Sequence, residues 1–154
     1  MLANRSMPPC TVIPVLSYDD VAEAAGWLCE TFGFTERWRA GHHRLQLAVG
    51  DGAVIVTERR VDRPVDSPPS DHRPRQSHGC HSVMVRIEDV DSHYDRARQR
   101  GAQILQPPTD HPYGERQYTA DDPGGHRWSF SQSISDVVPE EWGGTSAETS
   151  RQAD

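Results

Sequence analysis

Three charged side chains of this sequence lie in or beside runs that have the composition of β-strands. Glu58 follows the apolar run Ala53–Thr57, Arg86 lies in a second run, and Arg127 begins a third. Burial beside apolar neighbours raises the pKa of a carboxyl group, which suits Glu58 to acid–base chemistry. A guanidinium on the inner face of a sheet requires a carboxylate partner or an anionic or carbonyl-bearing ligand. These residues indicate a small-molecule site, with hydrated rim positions as the alternative for both arginines.

The cysteines and histidines form no recognisable catalytic motif. Cys10, Cys29 and Cys80 are irregularly spaced and include no Cys-x-x-Cys, which favours free thiols over a disulfide framework or a zinc site. No Ser-His-Asp or Cys-His arrangement can be placed. Of the eight histidines, His93 is expected on the exposed face of a helix and His81 at the start of a strand.

Length and charge exclude several classes of protein. The chain has 154 residues, enough for one compact domain, and a net charge of −7 from 23 acidic and 16 basic residues. That balance opposes binding to a polyanion such as nucleic acid. No apolar run approaches the ~20 residues that span a bilayer, and no secretory signal follows Met1. We expect a cytoplasmic protein with neither a nucleic-acid nor a membrane partner.

The chain consists of two similar halves. In each half a short apolar strand, at Val12–Ser17 in the first, leads to an aspartate and a helical pattern, with Asp20 and Asp89 as the helix N-caps. A β-hairpin follows each helix, at Leu45–Thr57 and at Gln117–Ser131, and one more strand is expected between helix and hairpin. The sequence therefore predicts an α+β fold built from two copies of one unit.

Polar and proline-rich segments divide and flank the two halves. Residues 59–79 can bury almost no apolar surface and are predicted to be a connector. Residues 1–9 and 145–154 lack periodicity and are expected to be flexible ends. The predicted limits are 10–144 for the single domain, and about 10–60 and 79–134 for its two modules.

Two segments of the second half, together with the strand-Asp-helix-Gly unit, resemble the vicinal oxygen chelate superfamily. They are Pro112–Tyr118, with the sequence Pro-Tyr-Gly-Glu-Arg-Gln-Tyr, and Asp122–Trp128, with the sequence Asp-Pro-Gly-Gly-His-Arg-Trp. The superfamily includes glyoxalases, bleomycin-resistance proteins and extradiol dioxygenases, and the chain is most similar to its glyoxalase-like bacterial members over about residues 11–143. The resemblance implies two tandem βαβββ modules whose curled sheets enclose a shared cavity, and a homodimer. It does not imply one reaction, because lyases, isomerases, dioxygenases and binding proteins share this fold.

The resemblance also implies where a divalent metal would be held. Enzymes of the superfamily use His, Gln or Glu side chains, two from each module, and the corresponding positions here are Ile13, Val56, Ser82 and Ser129. Ile13 and Val56 cannot coordinate, and serine is a poor neutral ligand for Zn²⁺, Fe²⁺ or Mn²⁺. We therefore expect no metal cofactor.

A displaced set of ligands is the alternative, with His81, Glu58 and another residue around a divalent metal. Strand alternation opposes it, because a one-residue slip would turn Val83 and Val85 toward the cavity. His81 is accordingly expected to point away from the cavity.

Alternation starting from Ile13 and Ser82 predicts the remaining cavity positions. Leu16, Ile55 and Trp128 are expected under the helices, whereas Tyr118 is expected to offer a flat surface to an aromatic ligand. The predicted ligand-binding residues are Ile13, Val54, Val56, Glu58, Ser82, Met84, Arg86, Tyr118, Arg127 and Ser129.

Three functions fit these observations. The first is a metal-free protein that binds or sequesters a small aromatic or carbonyl-containing molecule. The second is a metal-dependent lyase, isomerase or dioxygenase with displaced ligands. The third is a metal-free enzyme that relies on Glu58 or an arginine.

Overall fold

The computed structural model describes residues 4–59 and 81–147. The predicted connector lies outside the described residues except for Arg59, as do Cys80 and the last seven residues of the predicted tail. The first module comprises β1 (Val15–Tyr18), α1 (Val21–Phe32), β2 (Thr35–Ala40), β3 (Arg44–Val49) and β4 (Gly52–Glu58). The second comprises β5 (Val83–Arg86), α2 (Val90–Gln99), β6 (Gln103–Asp110), β7 (Glu115–Asp121) and β8 (Arg127–Ser133), followed by a short 3-10 helix at Pro139–Trp142.

Each module forms a mixed four-stranded sheet, and the two sheets have the same topology. The strand order is β1-β4-β3-β2 in the first sheet and β5-β8-β7-β6 in the second. In each, the first strand pairs in parallel with the last, and the remaining pairs are antiparallel. The predicted βαβββ repeat is confirmed; the sheets are curled but do not close into a barrel. The first strand covers Val15–Tyr18 rather than the predicted Val12–Ser17.

Both helices begin at the predicted aspartates. The Asp20 carboxylate accepts a hydrogen bond from the backbone N of Glu23 at 2.9 Å, and that of Asp89 accepts one from the backbone N of Ser92 at 3.0 Å. Each cap satisfies one of the amide groups that a helix start leaves without a partner. Gly33 ends α1 with a φ of 77°, a left-handed conformation that glycine adopts without strain.

One hydrophobic core joins the two modules. It contains Leu28 and Phe32 of α1, and the Phe32 ring lies 4.7 Å from the ring of Phe130 on β8. Each sheet therefore has a core face, which packs with the helices, and an outer face, which is turned away from them. Strand pairing assigns every strand residue to one of these faces, since directly paired residues share a face.

Candidate functional site

The outer face of the second sheet carries a row of polar side chains. Strand pairing places Arg86 beside Ser131, Ser131 beside Gln117, and Glu115 beside Ser133. Their neighbours in sequence, Tyr118 and Phe130 among them, are buried on the core face. The alternation of apolar and polar residues in β7 and β8 therefore builds this polar surface directly.

A hydrogen-bonded network holds the row in place. The Ser131 hydroxyl donates to Glu115 Oε2 at 2.5 Å, and the Ser133 hydroxyl donates to Glu115 Oε1 at 2.5 Å. Gln117 Nε2 donates to Ser131 Oγ at 3.0 Å, and Arg86 Nη2 donates to Ser133 Oγ at 2.9 Å. Both oxygens of the carboxylate are thus fixed, and Arg86 keeps further N–H groups free of this network.

Glu115 is ionised in this setting. The hydrogen bonds from Ser131 and Ser133, with a contribution from the positive charge of Arg86, hold the pKa of its carboxyl group below the usual range. The network therefore presents a fixed negative charge beside a guanidinium.

An open cleft of about 480 Å³ lies between β1 and β5, the edge strands of the two sheets. Val15 and Met84 line it with 54% and 59% of their surface exposed. The cleft lies between the two modules, and residues of both faces of its edge strands line it.

Six of the predicted site residues lie where alternation put them. Met84, Arg86 and Ser129 share the outer face of the second sheet, and Ser82 and Ile13 precede β5 and β1 in the same phase. Arg127 also lies on this face, but its guanidinium pairs with Asp121, with Nε 3.0 Å from Oδ1. A carboxylate on the neighbouring strand therefore neutralises Arg127, whereas the guanidinium of Arg86 bonds to the hydroxyl of Ser133.

Four of the predicted site residues do not lie on the outer faces of the sheets. Val54 and Val56 pair with Leu47 and Leu45 and belong to the core, so they lie on the core face. Glu58 is in the same phase of β4 and is exposed at its end, away from the outer face. The run Ala53–Val56 is apolar on both faces, so composition alone did not reveal its phase.

The fourth predicted site residue that does not lie on an outer face is Tyr118, which pairs with His93 inside the core. Tyr118 is fully buried on the core face, where its hydroxyl lies 2.6 Å from Nδ1 of His93. His93, expected to be exposed, is half-buried, with Nε2 3.0 Å from the backbone oxygen of Phe32. Burial lowers the pKa of His93. The spacing of apolar residues along the sequence could not predict this hydrogen-bonded pair of His93 and Tyr118 inside the core.

Several outer-face residues were missing from the predicted set. Glu115 and Gln117 lie on β7, and Gln46 and Ile55 lie on β3 and β4 of the first sheet. The turn at Gly50–Gly52 could have identified the residues of the first sheet. A hairpin with this turn pairs Leu45 and Leu47 with Val56 and Val54, and so places Gln46 beside Ile55 on the other face.

A buried carboxylate joins the two modules at the β7–β8 turn. Asp122 accepts hydrogen bonds from Tyr18 OH at 2.6 Å, Trp128 Nε1 at 3.0 Å and the backbone N of His126 at 3.0 Å. His126 Nε2 lies 2.7 Å from the backbone oxygen of Ser17. These contacts fix β1 against the second module.

The donor set at the positions implied for a metal does not fit a divalent cation. Ile13, Ser82 and Ser129 lie on the outer faces, as expected of metal-ligand positions. On β4 the outer-face residue is Ile55 rather than Val56, and its side chain is apolar as well. Across residues 4–59 and 81–147, no three His, Cys, Asp or Glu side chains come together as a metal site would require. His81 was expected to point away from the cavity, but it lines the cleft between β1 and β5, with its ring 6.1 Å from that of His126. We derive no chemical step through a metal.

Over the described part of the chain, no helix is both long and apolar enough to cross a membrane.

Comparison with known proteins identifies similar chains. Residues 11–130 match the family model described as Glyoxalase/Bleomycin resistance protein/Dioxygenase superfamily. TioX from Micromonospora sp. ML1 is 32% identical, with a TM-score of 0.64 over 81% of this chain and 99% of that one. No curated protein matches the chain.

Two more distant structures share the fold. A glyoxalase/bleomycin resistance protein/dioxygenase from Nocardioides is 20% identical, with a TM-score of 0.63 over 86% of this chain and 89% of that one. A lactoylglutathione lyase from Agrobacterium tumefaciens is 16% identical, with a TM-score of 0.60 over 82% of this chain and 96% of that one. At these identities the likeness shows the fold alone.

Proposed function

The chain belongs to the glyoxalase/bleomycin resistance protein/dioxygenase superfamily, and on that premise we propose that it binds a small organic molecule without a metal ion. The binding surface is the outer face of the second sheet together with the cleft beside it. The observation that carries this proposal is the ordered network of Arg86, Ser133, Glu115, Ser131 and Gln117 next to the exposed Met84.

The network is suited to recognition because it is organised before any ligand arrives. Ser131 is only 1% exposed, and its hydroxyl is held between Gln117 and Glu115. A site whose polar groups are already oriented loses little entropy on binding. The free N–H groups of Arg86 favour a carboxylate or carbonyl on the ligand, and Met84 and Val15 favour an apolar or aromatic body.

The charge states support binding rather than proton transfer. Glu115 has a lowered pKa, so it does not hold a proton to donate near neutral pH. Glu58, the carboxylate that the sequence offered for acid–base chemistry, lies off the outer face. The donor set described above supports a site that works without a metal.

Calorimetry with naphthoate tests the proposal, because this probe joins a flat apolar body to a carboxylate. We expect wild-type protein to bind it equally well in excess EDTA and after addition of Zn²⁺, Mn²⁺, Fe²⁺ or Ni²⁺. Arg86→Ala should weaken binding about tenfold, since it removes a charge-assisted hydrogen bond. Arg98→Ala, at an exposed position of α2, is the matched control and should bind as wild type does.

Elemental analysis of untagged protein after dialysis without chelator supplies the second measurement. We expect no stoichiometric retained metal. One tightly held metal per chain, or naphthoate binding that requires an added ion, would contradict the metal-free proposal. Absence of naphthoate binding to the wild type under all these conditions would contradict the binding surface itself.

A further inference from the structure

The outer face of the first sheet carries a second row of side chains, different from the first. Strand pairing aligns Trp38 with Gln46, Gln46 with Ile55, and Ile55 with Val15. This row runs from the far edge of the sheet to the cleft beside β5. It places an indole, an amide and two aliphatic side chains on one continuous surface.

A β-bulge brings a guanidinium to the same row. The pairing of β2 with β3 shifts between Glu36 and Trp38, so Arg37 is the extra residue. A bulge redirects the side chain of the inserted residue. Arg37 Nη1 donates a hydrogen bond to Gln46 Oε1, which fixes the orientation of the amide.

The other end of that amide has no partner in the described part of the chain. Gln46 is fully buried, and among the described residues no acceptor reaches its Nε2. Buried side-chain donors are nearly always paired, because leaving one unpaired costs free energy. Since Arg37 holds Oε1, a rotation of the amide group would lose one contact without supplying the other. The N–H groups of Gln46 Nε2 can therefore bond to an acceptor that is not one of the described residues.

The chain's own N-terminal segment is anchored on either side of this donor. We define the N-terminal strap as residues 4–14. Ser6 O accepts a hydrogen bond from Trp38 Nε1 at 2.9 Å, and Pro14 O accepts one from the backbone N of Ile55 at 2.9 Å. Ser6 is thus anchored at β2 and Pro14 at β4, next to β1, so the strap crosses the outer face over β3. Pro8, within it, is buried.

We propose that Gln46 Nε2 is the hydrogen-bond donor to a carbonyl or carboxylate oxygen of the ligand, and that the N-terminal strap covers this donor in the free protein. The inference rests on the proposed function and names the ligand's chemical class: an acceptor group attached to a flat apolar body. Trp38 and Ile55 contact the body, Arg37 adds positive charge next to the acceptor, and the ligand displaces the strap.

A pair of probes of opposite hydrogen-bonding character tests the donor. Naphthoate offers acceptors, whereas naphthylmethylammonium offers donors on the same ring system. We expect wild-type protein to favour naphthoate, and Gln46→Met to weaken naphthoate binding about tenfold while leaving the ammonium probe unaffected. Gln99→Met, at the exposed end of α2, is the matched control. The side-chain amide resonances of Gln46 in wild-type protein should shift on addition of naphthoate, a readout independent of how any variant folds.

Loosening the strap tests the second half of the proposal. Pro8→Asn places a polar side chain at a buried position and should tighten naphthoate binding several-fold, because less free energy is needed to expose the site. Pro9→Asn makes the same change at the exposed neighbour and should leave binding unchanged.

The outcomes separate this inference from the proposed function. If Arg86→Ala weakens naphthoate binding but Gln46→Met does not, and the Gln46 amide resonances stay unchanged, the Gln46 proposal is wrong and the proposed function stands. If Pro8→Asn binds naphthoate no more tightly than wild type, the strap does not compete with the ligand. Failure of the wild type to bind naphthoate at all overturns both.

Discussion

The hydroxyl of Tyr18 donates a 2.6 Å hydrogen bond to the buried carboxylate of Asp122, which lies 104 positions further along the chain. Tyr18 ends β1 of the first module, and Asp122 begins the β7–β8 turn of the second. Burial and the neighbouring carboxylate raise the pKa of Tyr18 far above its usual value, so the hydroxyl keeps its proton. This contact ties together the two modules that border the cleft.

Tyr18→Phe should destabilise the protein by about 1.5 to 3 kcal/mol, the usual contribution of a hydrogen bond to a charged group. Asp122 would retain its bonds from Trp128 and the backbone of His126. Urea unfolding measures the change. Tyr94→Phe, whose ring contacts Tyr118 edge-on, is the control and should lose less stability. Equal losses in the two variants would show that Asp122 does not depend on Tyr18.

Protein stability should fall as pH drops below about 6.5, the ordinary histidine pKa, in part because of His93. Burial lowers the pKa of His93 in the folded state, so the unfolded chain takes up its proton first. The contribution is therefore complete above the unfolded pKa and is lost as pH falls through the window below it. Thermal midpoints between pH 5 and 8 should vary less in His93→Gln than in wild type. Identical pH profiles would contradict this role for His93.

Replacing the serines that bond to Glu115 should return its carboxyl pKa toward the ordinary value. Ser131→Ala removes the larger influence and Ser133→Ala the smaller. Carbon NMR of the Glu115 carboxyl during a pH titration reports the change. Ser129→Ala is a suitable control, because that hydroxyl lies 3.3 Å from Thr119 Oγ1 rather than near Glu115. A Glu115 pKa that ignores the loss of Ser131 would mean that the network does not set its charge.

Gln46→Met and Arg37→Ala should have opposite effects on stability. Gln46→Met removes a buried donor that has no acceptor among the described residues. It also removes the acceptor of Arg37, but the exposed guanidinium can bond to water instead, so the thermal midpoint should stay level or rise. Arg37→Ala leaves Gln46 Oε1 without its donor and should cost about 1 to 3 kcal/mol. Thermal and urea unfolding of both variants decide the matter. A loss of stability in Gln46→Met that exceeds the loss in Arg37→Ala would show that Nε2 already has a partner.

Much of the fold was predictable from local signals. Asp20 and Asp89 predict where the helices begin, because aspartate is a favourable N-cap residue. The buried positions of α1 at Val21, Ala25, Leu28 and Phe32 follow the helical period, since one stripe of a helix must face the core. The outer face of the second sheet was also readable, because apolar and polar residues alternate cleanly in Arg127–Ser131.

The remaining site residues depended on contacts between distant segments. Pairing with β3 decides the phase of Val54 and Val56. Ile55 is buried although it lies on the outer face, where its backbone N donates a hydrogen bond to Pro14 O of the N-terminal strap. The alternation rule assumes one apolar face per strand, so it fails where a second segment covers the other face.

Local sequence thus specified the elements, their order and the repeat, because capping and periodicity act over a few residues. The burial of His93 with Tyr118, the joining of Tyr18 to Asp122 and the covering of Gln46 all arise when segments far apart in the chain pack together. Such contacts depend on register and docking, which the spacing of residues along one segment does not encode.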